Sequence, residues 1–392
     1  MNLMSIGSVA NLMPESINSK FPNSSGIPLL SFFTGAGFLD IGFMQAGFDV
    51  IWSNEYHPWF FRGYEYGMSC LNINGSNHRI YNTSSIVTVG PNQIAKEAFH
   101  NTPLPETFGI IGGPPCPDFS VGGKNRGREG ENGKLSKVYV MRIVELQPAF
   151  FLFENVPGLL RTAKHRLFFD FLKAELQKYY VIDYKVLNAL EYGVPQDRER
   201  VFLVGFHKEW LKRNFGIESH DLLKDWFPWP EAYYPGAKTR YNWPEQSPFG
   251  GNPEKPVGIP EELMVGPLIC NLDEISSLPN GLEGFKPKSE KFHCIPEGDV
   301  TRKSFKRLHR WRYSPTAAYG NNEVHLHPVF PRRLTVREAL RIQTVPDNYA
   351  LPPEMPLTDK FKTIGNGVPV KLARAVASSF IKVIGGNFNG NF

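Results

Sequence analysis

The stretch SFFTGAGFLDIG, residues 31–42, runs from an apolar strand through a Gly-x-Gly turn into a helix. Gly35 and Gly37 let the backbone come close to a ligand at the helix N-terminus. A dinucleotide fingerprint would carry a third glycine three residues after Gly37, where Asp40 stands, so a pyrophosphate ligand is disfavoured. Twenty residues after Gly35, Glu55 follows the next apolar run in WSNEY, where its carboxylate can accept both hydroxyls of a ribose. Turn and glutamate together point to an adenosine-type cofactor.

Further apolar runs follow at 48–52 (FDVIW), 108–113 (FGIIGG), 149–156 (AFFLFENV), 181–189 (VIDYKVLNA) and 200–206 (RVFLVGF), separated by helix-length segments. That alternation predicts an α/β fold, a mostly parallel sheet with helices on both faces. From residue 208 to about 330 the chain is crowded with Pro, Gly, Trp and Tyr and loses its periodicity, which reads as a second, irregular domain. Helical patterns return at Arg333–Gln343 and in GVPVKLARAVASSFIKVI (367–384). The boundaries expected are a flexible extension (1–26), a main domain (27–207 and 332–384), an inserted domain (208–331) and a disordered tail (385–392).

The 392 residues are 41% hydrophobic and 21% charged, which excludes disorder of the whole chain. Lys and Arg (43) exceed Asp and Glu (38) by five, a mildly basic balance that permits a nucleic-acid partner. Four cysteines without a CxxC pair exclude a disulfide framework and argue against structural zinc or any other metal site. With no basic, apolar leader at the N-terminus and no run of eighteen apolar residues, the expected setting is cytosolic, without a membrane.

Three further motifs carry chemistry. In GIIGGPPCPDFS, Cys116 stands between prolines just past a strand end, where open α/β sheets place their ligands, and reads as a nucleophile. In FLFENVPGL, Glu154 closes an apolar strand, a costly place for a carboxylate that neither pairs nor works. In YGVPQDRERVFLVG, Arg198 and Arg200 alternate with Asp197 and Glu199; period two puts both arginines on one face as fixed donors to a carbonyl or phosphate.

The order GAG, PPCP, ENV, QDRER, RRLTVREALRIQTVPDNY, IGNGVPVKLA resembles the cytosine-C5 DNA methyltransferase family, over about Leu30 to Ser379. The resemblance implies a Rossmann-like mixed sheet that binds S-adenosylmethionine, with a smaller target-recognition domain. It implies that Phe33, Gly35 and Gly37 line the cofactor pocket, Glu55 holds the ribose, Tyr56 stacks near the adenine, and Ile86, Pro115 and Leu135 give apolar contacts. Asn366 and Val368 would close that pocket. Ser85 is the best match to the aspartate that usually meets the adenine amino group. Cys116 would add to C6 of the cytosine, Glu154 would grip the base edge and Arg200 the carbonyl, with Arg198 and Gln196 in the same catalytic motif. The sequence departs from the family at Ser31, usually acidic, at Phe38, usually glycine, and at Pro117, more commonly Gln.

A thiol cannot reach C6 inside a duplex, so the cytosine must be flipped out. TRKSFKRLHRWRYSPT (301–316), with no acid before Glu323, suits phosphate contact and stacking, and makes Lys303, Lys306, Arg307, Arg310 and Arg312 the candidate DNA-binding residues. The expectation is a monomeric bacterial DNA methyltransferase of restriction-modification type, acting on double-stranded DNA alongside a cognate restriction endonuclease. A tRNA cytosine-5 methyltransferase of the same family, or a non-catalytic DNA-binding relative, are the alternatives.

Overall fold

The computed structural model describes residues 26–388 except 72–78, 101–102, 116–130, 221, 223–224, 288, 303 and 320–323, with backbone alone at 131–132. Seven strands form one sheet in the order β3-β2-β1-β4-β5-β7-β6. They are β1 (Pro28–Phe32), β2 (Asp49–Asn54), β3 (Ile80–Asn82), β4 (Gly109–Gly112), β5 (Phe150–Asn155), β6 (Tyr180–Asn188) and β7 (Glu199–His207). The first five run parallel; β7 enters antiparallel between β5 and β6. The mixed α/β sheet agrees with the expected Rossmann-like class. Strands β4 and β5 are buried along their whole length, which is why they read as unbroken apolar runs rather than alternating ones.

The strand order reverses between β1 and β4, so the loops leaving those two strands diverge to opposite faces and open a crevice at their carboxyl ends. One face carries α1 (Phe38–Gln45), α2 (Pro58–Cys70) and the C-terminal α13 (Val370–Ile384); the other carries α3 (Pro91–Phe99), α4 (Glu131–Leu146), α5 (Gly158–Arg161) and α6 (Ala163–Gln177). Phe380 of α13 meets Phe43 of α1, Phe150 of β5 and Phe206 of β7, and so ties the last helix to elements that come much earlier in the chain.

The expected domain break at 208 does not coincide with a change in packing. Helix α7 (Lys208–Phe215) and the segment through Trp229 lie on the sheet's own core: Trp210 and Trp226 meet Phe206, Phe227 meets Phe380, and the Trp226 and Trp229 indoles donate to Ile182 and Asp183 of β6. These aromatics bury area without helical or strand spacing, so periodicity could not assign them. The expected tail likewise packs where it is described, Phe388 meeting the edge of Phe215.

Beyond Trp229 the inserted lobe is irregular. It holds α8 (Ala237–Arg240), α9 (Gly266–Ile269), α10 (Leu272–Ser277) and a two-stranded parallel ribbon of β8 (Phe305–Arg307) and β9 (Val324–Leu326). Small apolar clusters hold it, one around Phe292, Ile295 and Leu326 and another around Leu263 and Tyr313. The chain then returns through α11 (Val336–Ile342) and α12 (Leu357–Asn366). Among the described residues no helix is long and apolar enough to cross a membrane.

Candidate active site

At the end of β1 the chain turns through Phe33, Gly35 and Gly37, all with positive φ. The Gly35 N–H donates to Glu55 Oε2 at 2.8 Å and the His57 N–H to Oε1 at 2.8 Å, so the carboxylate at the end of β2 is aimed by two backbone donors and keeps acceptor capacity for hydroxyls. Burial raises the Glu55 pKa, and these backbone bonds pull it back. Gly37 is required for another reason: a Cβ there would lie 2.2 Å from Met68 and 2.8 Å from the Tyr64 ring, so α2 packs directly on the turn. Around the crevice, Tyr56 is exposed, Ile86 and Val368 are buried, Ser85, Pro115 and Leu135 are half-buried, and Asn366 is exposed at the end of α12.

Two buried hydroxyls here, Thr34 Oγ1 and Thr363 Oγ1, have no hydrogen-bond partner among the described residues. A Cβ at Gly35 would stand 3.6 Å from the second. Unsatisfied buried hydroxyls beside an open glycine suit a polar ligand that completes them. The residues present therefore fit a polar, hydroxyl-bearing cofactor of the kind S-adenosylmethionine is.

Sequence reasoning missed what holds this turn. Asp40, on the first turn of α1 and fully buried, accepts from Ser31 Oγ at 2.7 Å and from Tyr64 Oη at 2.8 Å; burial pushes its carboxyl up to about 6. An acid absent from position 31 is thus supplied to it from position 40. Tyr349 donates to the Ala36 carbonyl at 2.8 Å, clamping the turn from the C-terminal segment. A lone aspartate in an otherwise apolar helix was the available signal for the first.

Across the crevice, Glu154 Oε1 meets Arg200 Nε at 3.0 Å, both side chains about nine-tenths buried. Burial raises the Glu154 pKa, and Arg200 and Arg198 pull it back. A Cβ at Gly113 would come within 2.6 Å of Glu154 Oε2, so a side chain there would push the carboxylate out of its place. Asn155 Nδ2 holds the Pro114 carbonyl of that loop at 3.4 Å. Cys116, two residues on, lies outside the described residues, as does Lys303. No metal-binding cluster occurs among the described residues.

Residues 27–382 match the model of the C-5 cytosine-specific DNA methylases. The chain belongs to this family. It is 46% identical over 356 residues to the type II methyltransferase M.NmeDI of Neisseria meningitidis serogroup C, covering 89% of this chain and 82% of that one. To M.FnuDI of Fusobacterium nucleatum it is 31% identical over 379 residues, covering 89% and 92%. The fold is shared with a candidate DNA modification methyltransferase encoded within an E. coli prophage, at a TM-score of 0.58 and 21% identity over 92% of this chain and 100% of that one. The protein is a DNA cytosine-C5 methyltransferase.

Within this methylase the two arginines of QDRER do not share a task. Arg198 is fully buried and donates to the carbonyls of Ala317 (3.0 Å), Gly365 (2.7 Å) and Gly367 (2.8 Å). Gln196, also fully buried, accepts from the Ala317 N–H and donates to Gln343, which holds the Ile364 carbonyl. The sequence leads to a catalytic role for Arg198; in the structure its guanidinium ties β7 to the α12–α13 turn, a use that spacing cannot distinguish from substrate contact.

The basic run is divided in the same way. Arg307 is fully buried and its guanidinium donates to the carbonyls of Phe292, Ile295, His327 and Phe330, so it anchors β8. Arg310 is paired with the buried Glu297 at 2.8 Å. The acid that neutralises the run precedes it in sequence. Lys306 and Arg312 are half-buried, the latter over the Tyr313 ring.

Proposed function

We propose that this methylase transfers the methyl group of S-adenosylmethionine to C5 of a cytosine flipped out of duplex DNA, through a transient bond between the Cys116 sulfur and C6. The observation that carries this reading is the Glu154–Arg200 pair at 3.0 Å, buried at the carboxyl end of the sheet beside the loop that leads to Cys116. S-adenosylmethionine, when bound, supplies an electrophilic methyl group on a sulfonium.

C5 of cytosine is a weak nucleophile until a thiolate adds to C6 and pushes electron density toward C5 and N3. Glu154, with a pKa raised by burial, shares a proton with N3 as negative charge builds there. Arg200 holds the ring carbonyl while its Nε keeps the carboxyl oriented. A free thiol has a pKa of about 8.5, so an electropositive pocket favours the reactive thiolate. After methyl transfer the C5 proton leaves to water and the thiolate departs from C6, which restores the ring. The Glu55 carboxylate and the Thr34 and Thr363 hydroxyls hold the cofactor against the Gly35 turn.

The protein protects host DNA from a cognate restriction endonuclease, a reading supported by the type II relatives, and it works as a monomer in the cytoplasm. The lobe from about residue 230 to 331 selects the sequence, because methyl transfer uses the same atoms in every context. Bisulfite sequencing of DNA from cells expressing the chain should show methylcytosine within one sequence context. A duplex with 5-fluorocytosine at that position should trap the protein covalently. Methylation without trapping, or trapping of Cys116→Ser, would overturn the mechanism.

A further inference from the structure

Four buried polar side chains, one from each of four elements, link up beside the Gly35–Gly37 turn. Ser31 of β1 and Ser53 of β2 are register partners on adjacent parallel strands. Ser31 Oγ donates to Asp40 Oδ1 of α1 at 2.7 Å, and Tyr64 Oη of α2 donates to Asp40 Oδ2 at 2.8 Å. The Ser53 side chain hydrogen-bonds the Tyr64 hydroxyl in turn. All four side chains are buried. Each stands close to a group assigned to the cofactor. Phe33 follows Ser31 by two residues and Glu55 follows Ser53 by two; Asp40 lies three past Gly37, and the Tyr64 ring packs on Gly37. Asp40 is the charged member, and Arg79, which donates to the Val50 carbonyl at 2.9 Å, supplies positive charge that acts on it.

Apolar side chains of similar shape could fill such a space at little or no cost in stability, because a buried carboxylate gives up its hydration. Directional bonds supply what packing does not, a fixed orientation of one element against another. Here they join the strand that leads into the glycine turn to the strand that leads into Glu55, and Asp40, accepting from both sides, is the hub. Resting on the S-adenosylmethionine reading above, we propose that Asp40 is a positioning residue for the methyl donor: through Ser31 and Tyr64 it sets the Gly35–Gly37 turn against the Glu55 carboxylate, so that one ligand meets both. The 2.8 Å bond from the Gly35 N–H to Glu55 is the direct link between those two walls, and the buried network keeps it in register. Asp40 acts through the turn, and its effect falls on cofactor affinity.

The test measures S-adenosylmethionine binding to the full chain by calorimetry, without DNA, beside methyl transfer. Asp40→Asn keeps the shape and puts an amide nitrogen where a hydroxyl donates. It should raise both the Kd and the KM for S-adenosylmethionine about tenfold, with kcat at saturating cofactor within about threefold of wild type. Ser31→Ala and Tyr64→Phe, the second of which keeps the ring on Gly37, should each weaken binding in the wild-type background and add nothing to Asp40→Asn. Phe380→Leu should melt lower yet bind the cofactor as wild type does, because Phe380 packs on Phe150 and Phe206 at the amino end of β5, away from the crevice. An unchanged Kd for Asp40→Asn, full additivity of the two hydroxyl variants with it, or equal weakening by Phe380→Leu would overturn the hub. A wild-type chain that binds no S-adenosylmethionine would instead strike the cofactor reading beneath it.

Discussion

Replacing Arg198 with Met tests whether this arginine belongs to the frame or to the chemistry. The substitution keeps most of the volume and removes the guanidinium from Ala317, Gly365 and Gly367, leaving three buried carbonyls to find other donors. Hydrogen bonds from a charged donor are worth about 1.5–3 kcal/mol each. Part of that is returned, because the guanidinium no longer has to be kept out of water. The net loss expected is about 3–5 kcal/mol, the range for breaking a buried charged network. At an unfolding entropy of about 2.1 cal/mol/K per residue, a chain of 392 residues changes by about 0.8 kcal/mol per degree, so Tm should fall by about 4–6 °C. The assay is a thermal melt by circular dichroism beside methyl transfer at a temperature where both proteins are folded. Arg200→Met should show the reverse pattern, with transfer lost and a smaller fall in Tm, because its partner Glu154 can take up a proton. An Arg198→Met protein with wild-type Tm and no activity would return Arg198 to the substrate and refute the structural role.

Cys116→Ser should abolish methyl transfer and covalent trapping while S-adenosylmethionine binding by calorimetry stays within about threefold, since an alcohol is a far weaker nucleophile than a thiolate; turnover within tenfold of wild type would remove Cys116 from its role. Asp40 binds its proton more tightly folded (about 6) than at its ordinary 3.8, so its contribution to stability is fullest below pH 4 and declines as pH rises to 6. Denaturant titrations should therefore show wild type losing up to ~3 kcal/mol relative to Asp40→Asn between pH 4 and 7, and a pH-independent difference would contradict the buried-carboxyl assignment. Arg307→Ala should lower the urea midpoint and leave the salt slope of DNA binding unchanged, whereas Lys306→Ala should do the opposite; a reduced slope for Arg307→Ala would place that side chain on DNA after all. Exchanging residues 231–331 with a relative of different specificity should give a folded chimera that methylates the relative's site, while an exchange beginning at 210 should melt lower because it removes Trp210, Trp226 and Phe227 from the core of the sheet; a chimera that keeps the original site would locate specificity elsewhere.

Where neighbours in sequence are neighbours in space, the sequence by itself determined the outcome. The central strands are apolar throughout because both faces are covered, and the Gly35–Gly37 turn is local geometry written in glycine. The order of motifs was enough to identify the family. Glu154 stood out because an unexplained carboxylate at the end of a buried strand is expensive. What only the tertiary structure decided are the partners of long, polar side chains. The sequence offers Arg198 to the substrate and Arg307 to DNA, and the fold buries both on backbone carbonyls that lie as far as 169 residues away. Glu297 neutralises Arg310 from thirteen residues upstream, and Asp40 takes over a position left without an acid by Ser31. The segment 208–229 joins the sheet's core through scattered aromatics that follow no period. An arginine offers the same five donors to a phosphate and to a backbone carbonyl, and the fold alone sets which of them comes within reach.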